Sequence, residues 1–206
     1  MTIRHHLGAH SLMSFAAGAL PSALAAVAGA HLAMCARCRR DLELFEHLGG
    51  AVLEGLAPVP LAVIEPAVPA PAASPPRALG GNAANPILRL AAEAFLGVSW
   101  RRIGIGLWHR PLPLPGQGTL QLIKAAPGAS VPDHGHAGAE LTLVLRGALI
   151  DASGRYGPGD IADLDAEVEH TPLADAHAGC ICAIANELPT RFHGLLARLL
   201  QPWHRL

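Results

Sequence analysis

The sequence predicts an α+β chain in which a small helical N-terminal domain precedes an all-β barrel with flanking helices. Three observations support this prediction. Apolar residues recur at helical spacing through residues 1–56. Seven prolines then fall within residues 57–80 and exclude a continuous helix or a central strand there. From Trp100 onward, short strand-like runs alternate with Gly, Pro and Asp, which is typical of a sandwich or barrel.

The helical part is predicted to contain three helices. Pro21 suits the first turn of the second helix, since its missing N–H costs nothing there. The third helix is expected from about Cys35 to about Leu56, weakened midway by Gly49 and Gly50. These features give the predicted organisation: a helical domain at 1–56, a Pro/Ala-rich linker at 57–84 and a β domain at 85–206.

The β domain is predicted to begin with a short helix, because Asn85 followed by Pro86 is a cap and first-turn signal. A closing helix is expected from Thr190 to Leu200. The strand-like runs between them cover residues 101–109, 119–126, 139–147, 148–152, 160–165 and 179–185.

Composition limits the possible functions. Hydrophobic residues make up 51% and charged residues 15%, which fits a globular core. The net charge of -1 provides no basic field for nucleic acid. The uncharged stretch from Leu7 to Ala36 imitates a secretion signal, but His10, Pro21 and several serines interrupt it. We therefore expect a cytoplasmic chain that does not cross a membrane.

The first candidate metal site lies in the helical part. His31, Cys35 and Cys38 follow one another within about two helical turns, and imidazole and thiolate are preferred ligands of tetrahedral zinc. His5 or His6 could supply a fourth ligand. The alternative interpretation is a redox-active pair or two buried thiols.

The second candidate metal site lies in the β domain. His134, His136 and Glu140 occur within seven residues, and two histidines at i and i+2 of a strand share one face. Such N/O donors hold Zn, Fe, Mn or Ni. His170 is the best candidate for a fourth ligand, and His177 competes with it. A second thiol pair, Cys180 and Cys182, is interpreted as small buried hydrophobic residues.

The spacing around this second site resembles the first conserved motif of the cupin superfamily, G-x5-H-x-H-x3-E-x6-G. Every fixed position matches, from Gly128 through His134, His136 and Glu140 to Gly147. The second cupin motif is degenerate, since Glu167, Val168 and Glu169 stand where the family carries Pro and Gly before its histidine.

The H-x3-C-x2-C pattern in a helical domain resembles the zinc-binding domain of bacterial anti-sigma factors, and its union with a cupin resembles the ChrR family. The resemblance implies a regulator, not an enzyme, that holds an extracytoplasmic-function sigma factor inactive and releases it on an oxidative signal such as singlet oxygen. It implies two zinc sites. The implied ligands are His6, His31, Cys35 and Cys38 in the first site, with His5 as the alternative to His6, and His134, His136, Glu140 and His170 in the cupin.

Three short helices carry more apolar surface than they can hide alone, which favours a partner protein. The candidate contact residues are Leu12, Phe15, Leu42, Phe45 and Val52. The alternative is that these side chains form the core of the domain itself. A rival function is a metal-dependent cupin enzyme, such as a dioxygenase or isomerase, with the helices as a dimerisation arm.

Overall fold

A computed structural model describes residues 2–58, 85–93, 95–135 and 137–188, and the backbone of residues 191–192. The three predicted N-terminal helices and the short helix after Asn85 are present. Their bounds are α1 Ala9–Ala16, α2 Ser22–Met34, α3 Ala36–Glu54 and α4 Pro86–Ala92. The Asn85 side chain accepts a hydrogen bond from the Ile87 N–H, which is the predicted cap.

Short antiparallel strands build the rest of the described chain. They are β1 Arg101–Gly104, β2 Leu107–Pro111, β3 Thr119–Ala125, β4 His134–Gly135, β5 Glu140–Gly147, β6 Leu149–Asp151, β7 Gly154–Tyr156, β8 Ile161–Leu164, β9 Glu169–His170, β10 Leu173–Ala174, β11 Cys180–Asn186 and β12 Arg191–Phe192. The large sheet has the order β1-β2-β3-β11-β5-β8, and two small sheets have the orders β10-β6-β7 and β12-β4-β9.

Alternation along the strands gives the large sheet two different faces. Along β11, Cys180, Cys182 and Ile184 point toward the small sheets and line a cavity. Ala183 and Ala185 point the other way and pack into a separate apolar cluster. This inside-outside alternation, with period two, is what a barrel wall requires.

The outer face of the large sheet is covered by α2. Leu24, Val27 and Ala28 of this helix share one buried cluster with Leu141 and Leu143 of β5. The helical part and the barrel therefore have a common apolar core, and the stability of each part depends on the other.

The glycine that ends the cupin-like motif has a clear physical role. Gly147 closes β5 with a φ of 71°. A Cβ at this position would collide with the carbonyl oxygen of Gly179. Only glycine combines this left-handed backbone with such a close approach.

Some predicted elements differ from the structure. The run at 101–109 is a hairpin of β1 and β2, because Gly106 has a φ of 70° and turns the chain. The closing helix predicted from Thr190 is wrong at Arg191–Phe192, which form β12 and pair with β4. Residues 193–200 of that helix and residues 59–84 of the predicted linker lie outside the described residues. No helix of the described chain is long and apolar enough to cross a membrane.

Two candidate metal centres

The first group of metal-binding side chains sits between the N-terminal segment and the junction of α2 with α3. The donor atoms of His6, His31, Cys35 and Cys38 all lie within 4.8 Å of one another. The Nε2 atom of His31 is 3.2 Å from Sγ of Cys38, and Nδ1 of His6 is 3.3 Å from Sγ of Cys35. We call this group the N-terminal cluster.

The local sequence explains why these donors converge. Cys35 ends α2 and serves as the N-cap of α3, where its Sγ accepts a hydrogen bond from the Cys38 N–H. His31 lies one helical turn before Cys35, so its ring projects toward the same junction. The segment preceding α1 then brings His6 to the other side.

Burial prepares the N-terminal cluster for a metal. His31 and Cys38 are fully buried. Burial lowers the pKa of His31 to about 4, so its imidazole is neutral at pH 7 and free to donate to a metal. Burial raises the pKa of Cys38 to about 12, so a bound cation is needed to hold its thiolate. Two thiols and two imidazoles match the Cys2His2 donor set of structural zinc.

The spacing in the sequence does not decide whether His5 or His6 belongs to the N-terminal cluster, but the structure distinguishes them. His6 joins the N-terminal cluster, whereas the ring of His5 packs edge-on against Tyr156 at a centroid distance of 4.0 Å. His31 makes a further contact outside the cluster, since its Nδ1 atom is 2.9 Å from the carbonyl oxygen of Gly159. Such a hydrogen bond orients a ligating imidazole.

The second group of metal-binding side chains, here called the cupin cluster, lies inside the barrel. The donor atoms of His134, Glu140 and His170 lie within 4.8 Å of one another, and all three side chains are buried. Strands β4 and β9 pair His134 with His170 directly. Their Nε2 atoms are 3.2 Å apart. His136, the other predicted ligand, lies outside the described residues.

Each donor of the cupin cluster has a supporting group. Nδ1 of His134 is 2.9 Å from the carbonyl oxygen of Pro132, and Nδ1 of His170 is 3.4 Å from the Asp151 carboxylate. The Thr142 hydroxyl donates to Glu140 at 2.9 Å. Because the outer imidazole nitrogens are engaged, both Nε2 atoms are directed inward. The sequence does not single out Asp151, and it indicates Thr142 only through its i+2 spacing from Glu140 on one strand face.

A cavity of about 70 Å³ adjoins the cupin cluster. Its wall is largely apolar, with Ile103, Leu107, Ile123 and Leu149 among the residues that line it. The volume exceeds that needed for one water molecule. A metal held by these donors would therefore face a mostly apolar space.

The second thiol pair also faces this cavity. The Sγ atoms of Cys180 and Cys182 are 3.1 Å apart, and both residues are buried. The neighbouring thiol and burial both raise the pKa of Cys182. These cysteines pack with Leu107 and Val144, in agreement with their interpretation as small buried hydrophobic residues.

The competitor for the fourth cupin ligand lies elsewhere. His177 is exposed in the turn between Asp175 and Gly179, where its backbone N–H donates to the Asp175 carboxylate. The degenerate residues before His170 do not displace it, because Glu169 pairs with Gly135 in the short β4–β9 ladder. Strand pairing therefore brings His170 to the cluster without the Pro and Gly of the family motif.

The five candidate contact residues fall into different environments. Leu12 and Leu42 are buried in the shared core, which is the alternative that the sequence left open. Phe15 and Phe45 are partly buried against that core. Val52 is 60% exposed on α3. It lies in a line of exposed apolar side chains four residues apart on this helix, which we call the α3 stripe: Leu44, Leu48 and Val52.

Comparison with known proteins identifies the family of this chain. Anti-sigma-E factor ChrR of Cereibacter sphaeroides is 38% identical, and the alignment covers 100% of both chains. The chain belongs to the ChrR family. The ChrR cupin-like domain model matches residues 93–188. The crystal structure of Rhodobacter sphaeroides SigE in complex with the anti-sigma ChrR superposes with a TM-score of 0.72 at 35% identity, over 90% of this chain and 99% of that chain.

Cupin enzymes are far less similar to this ChrR family member. An acetylacetone dioxygenase from Acinetobacter johnsonii is 14% identical, with a TM-score of 0.42 over 48% of this chain and 76% of that chain. Likeness at this level carries no argument about activity. The family relationship instead favours a regulatory protein over an enzyme.

Proposed function

We propose that this chain is an anti-sigma factor that sequesters an extracytoplasmic-function sigma factor in the cytoplasm and thereby represses transcription. The observation that carries the proposal is the end-to-end similarity to a named anti-sigma factor, over both the helical part and the barrel. The oxidative signal, in particular singlet oxygen, belongs to the same proposal.

The N-terminal cluster is proposed to hold structural zinc through His6, His31, Cys35 and Cys38. Four donors, three of them buried and His6 half-buried, support this assignment, since they fill the four positions of tetrahedral zinc. Bound zinc would cross-link the segment before α1 to the junction of α2 and α3. The surface formed by α1 and α3 would then depend on the metal for its shape.

The sigma factor is proposed to contact the helical part through the α3 stripe. Exposed leucines at 44 and 48 and Val52 form one continuous apolar line on a helix, and such a line fits a partner groove. Phe15 and Phe45 remain candidate contacts at its border. Leu12 and Leu42 would support the surface from beneath, because they are buried in the shared core.

The cupin cluster is proposed to hold a second zinc through His134, His136, Glu140 and His170. Its role would differ from that of the first zinc, because the adjoining cavity leaves room for a small molecule or an oxidant beside the metal. Imidazole and thiol groups are chemically susceptible to such oxidants, and both types face this cavity. The cupin is thus the proposed sensing part.

A second candidate function is a metal-dependent cupin enzyme. The observation in its favour is the same cavity beside a group of buried His and Glu donors. Iron or manganese held there could bind a substrate in an open position. The family relationship weighs against this candidate.

Purification of the tagged chain from its host, with metal analysis and mass spectrometry of the eluate, distinguishes the two functions. We expect one sigma factor per chain, together with about two zinc ions per chain. Iron in the cupin without a sigma factor would favour the enzyme and contradict the proposal.

A further inference from the structure

A buried carboxylate of the barrel holds the N-terminal segment that carries His6. One oxygen of Asp160 accepts hydrogen bonds from the backbone N–H groups of Arg4 and His5, at 2.6 Å and 3.0 Å. Its other oxygen accepts from the Gly157 N–H at 2.8 Å. Burial opposes ionisation of Asp160, but these hydrogen bonds outweigh it and lower the pKa of the carboxyl.

A second carboxylate holds the same segment four residues later. Asp163 accepts hydrogen bonds from the Gly8 N–H at 2.8 Å and from the Ser11 hydroxyl at 3.0 Å. Gly8 is the N-cap of α1 and has no side chain to cap the helix. The barrel therefore fixes both the chain before His6 and the start of the helix after it.

The same turn of the barrel reaches the N-terminal cluster directly. The carbonyl oxygen of Gly159 lies 2.9 Å from Nδ1 of His31, a donor of that cluster. One stretch of the barrel thus positions two of the four donors of the N-terminal cluster. It holds His31 through its ring, and it holds His6 through the backbone N–H groups of Arg4 and His5. We call residues 157–163 the connecting segment.

The connecting segment is in turn bonded to the strand that begins at the cupin cluster. The backbone of Val144 in β5 exchanges hydrogen bonds with Gly159 and Asp160, at 2.8 Å and 3.0 Å. Asp163 pairs with Leu141, the residue after Glu140. A displacement of β5 at Glu140 would therefore move the acceptors that hold the N-terminal segment.

We propose that the connecting segment transmits the state of the cupin metal to the N-terminal cluster, with Asp160, Asp163 and the Gly159 carbonyl as positioning groups. The inference rests on the proposed function, since it names the route by which sensing reaches the partner-binding part. It requires both clusters to be metal-loaded and requires no partner protein. The rival explanation is a static packing contact between the two parts.

A double-mutant cycle in the zinc-loaded full-length chain tests the coupling. Amide hydrogen exchange of residues 4–11 is measured in the wild type, His134→Ala, Asp160→Ala and the double variant. We expect His134→Ala to speed amide exchange in residues 4–11 by roughly tenfold in the wild-type background, because the hydrogen bonds that Asp160 and Asp163 accept from this segment weaken. In the Asp160→Ala background, the same change should have little further effect, below about twofold.

Matched variants keep this test decisive. Asp165→Ala serves as the control, because Asp165 is exposed nearby and its carboxylate accepts a hydrogen bond from the Glu167 N–H of its own turn. Ser11→Ala removes the hydroxyl that donates to Asp163 and that lies 3.1 Å from Nε2 of His10, and this variant replaces Asp160→Ala if the latter fails to fold. Asp160→Asn, which retains one acceptor oxygen, should restore part of the His134 effect. An equal effect of His134→Ala in all backgrounds, or no effect in any, would overturn the proposal.

The sigma factor gives a separate readout. With each complex formed at saturating sigma factor, oxidation should free the bound sigma factor from Asp160→Ala at least about threefold more slowly than from the wild type. Failure of the wild type to bind any sigma factor would contradict the proposed function and leave the exchange cycle as an independent measurement of the coupling. Normal release by Asp160→Ala would contradict the coupling alone.

Discussion

The two metal clusters of this chain differ in what surrounds them. The N-terminal cluster has four donors, two of them thiols, packed between helices. The described part of the cupin cluster has imidazole and carboxylate donors beside a cavity of about 70 Å³. A closed thiol-rich site stabilises structure, whereas an open site can meet a small molecule. Under the proposed function, the closed site serves partner binding and the open site serves sensing.

The largest effect on sigma binding is expected from the removal of a thiol from the closed site. Cys38→Ser should lower affinity for the sigma factor by at least about 100-fold, because loss of a ligand releases the metal that joins α2, α3 and His6. Binding is measured by calorimetry with the purified partner. Cys180→Ser is the matched control, since it removes a buried thiol from the barrel and should leave affinity within about twofold. Equal losses in both variants would argue that the thiols matter only for folding.

A second test concerns the α3 stripe. Leu48→Asp should weaken sigma binding by roughly tenfold or more, since a charge would have to be buried against the partner. Leu48 is 58% exposed, so the melting temperature should change little. Ile105→Asp is the control, because Ile105 is 90% exposed at the β1–β2 turn. Unchanged affinity in Leu48→Asp would remove α3 from the proposed interface.

The smallest expected effect is the number of protons released when zinc binds, which should differ between the two clusters. Zinc binds thiolates, so loading the N-terminal cluster at pH 7 should release about two protons, one from each thiol. His31 adds none, because burial has already lowered its pKa to about 4. Calorimetry in buffers of different ionisation enthalpy measures this number. Cys35→Ser with Cys38→Ser should abolish this release and leave only that of the cupin cluster. Release of the full two protons by this double variant would contradict the assignment.

Much of the site could be predicted because its donors are close in sequence. The helical spacing of His31, Cys35 and Cys38 and the strand spacing around Glu140 are local patterns, and local geometry follows from them. The three N-terminal helices were predicted for the same reason, since apolar periodicity is a local signal.

What the sequence could not provide were contacts between distant segments. His5 and His6 are neighbours in the sequence, and their spacing to α2 cannot decide between them. The hydrogen bond from the His5 N–H to Asp160 and the contact of the His5 ring with Tyr156 distinguish them in the structure. The short strands β4, β9 and β10 carry no pattern of their own, because two residues cannot show alternation. The shared core of α2 and β5 could not be predicted either. A helix has the same apolar periodicity whether its apolar face packs against a sheet or against other helices.

The two clusters are proposed to divide partner binding and sensing between them, and release of the sigma factor by a His134→Ala variant tests this division. The complex is illuminated with a photosensitiser to generate singlet oxygen, and the fraction of free sigma factor is measured by size-exclusion chromatography. We predict that His134→Ala binds the sigma factor within about twofold of the wild type but retains it after illumination, while the wild type releases it. Release from His134→Ala at the wild-type rate, or loss of binding before illumination, would contradict the account.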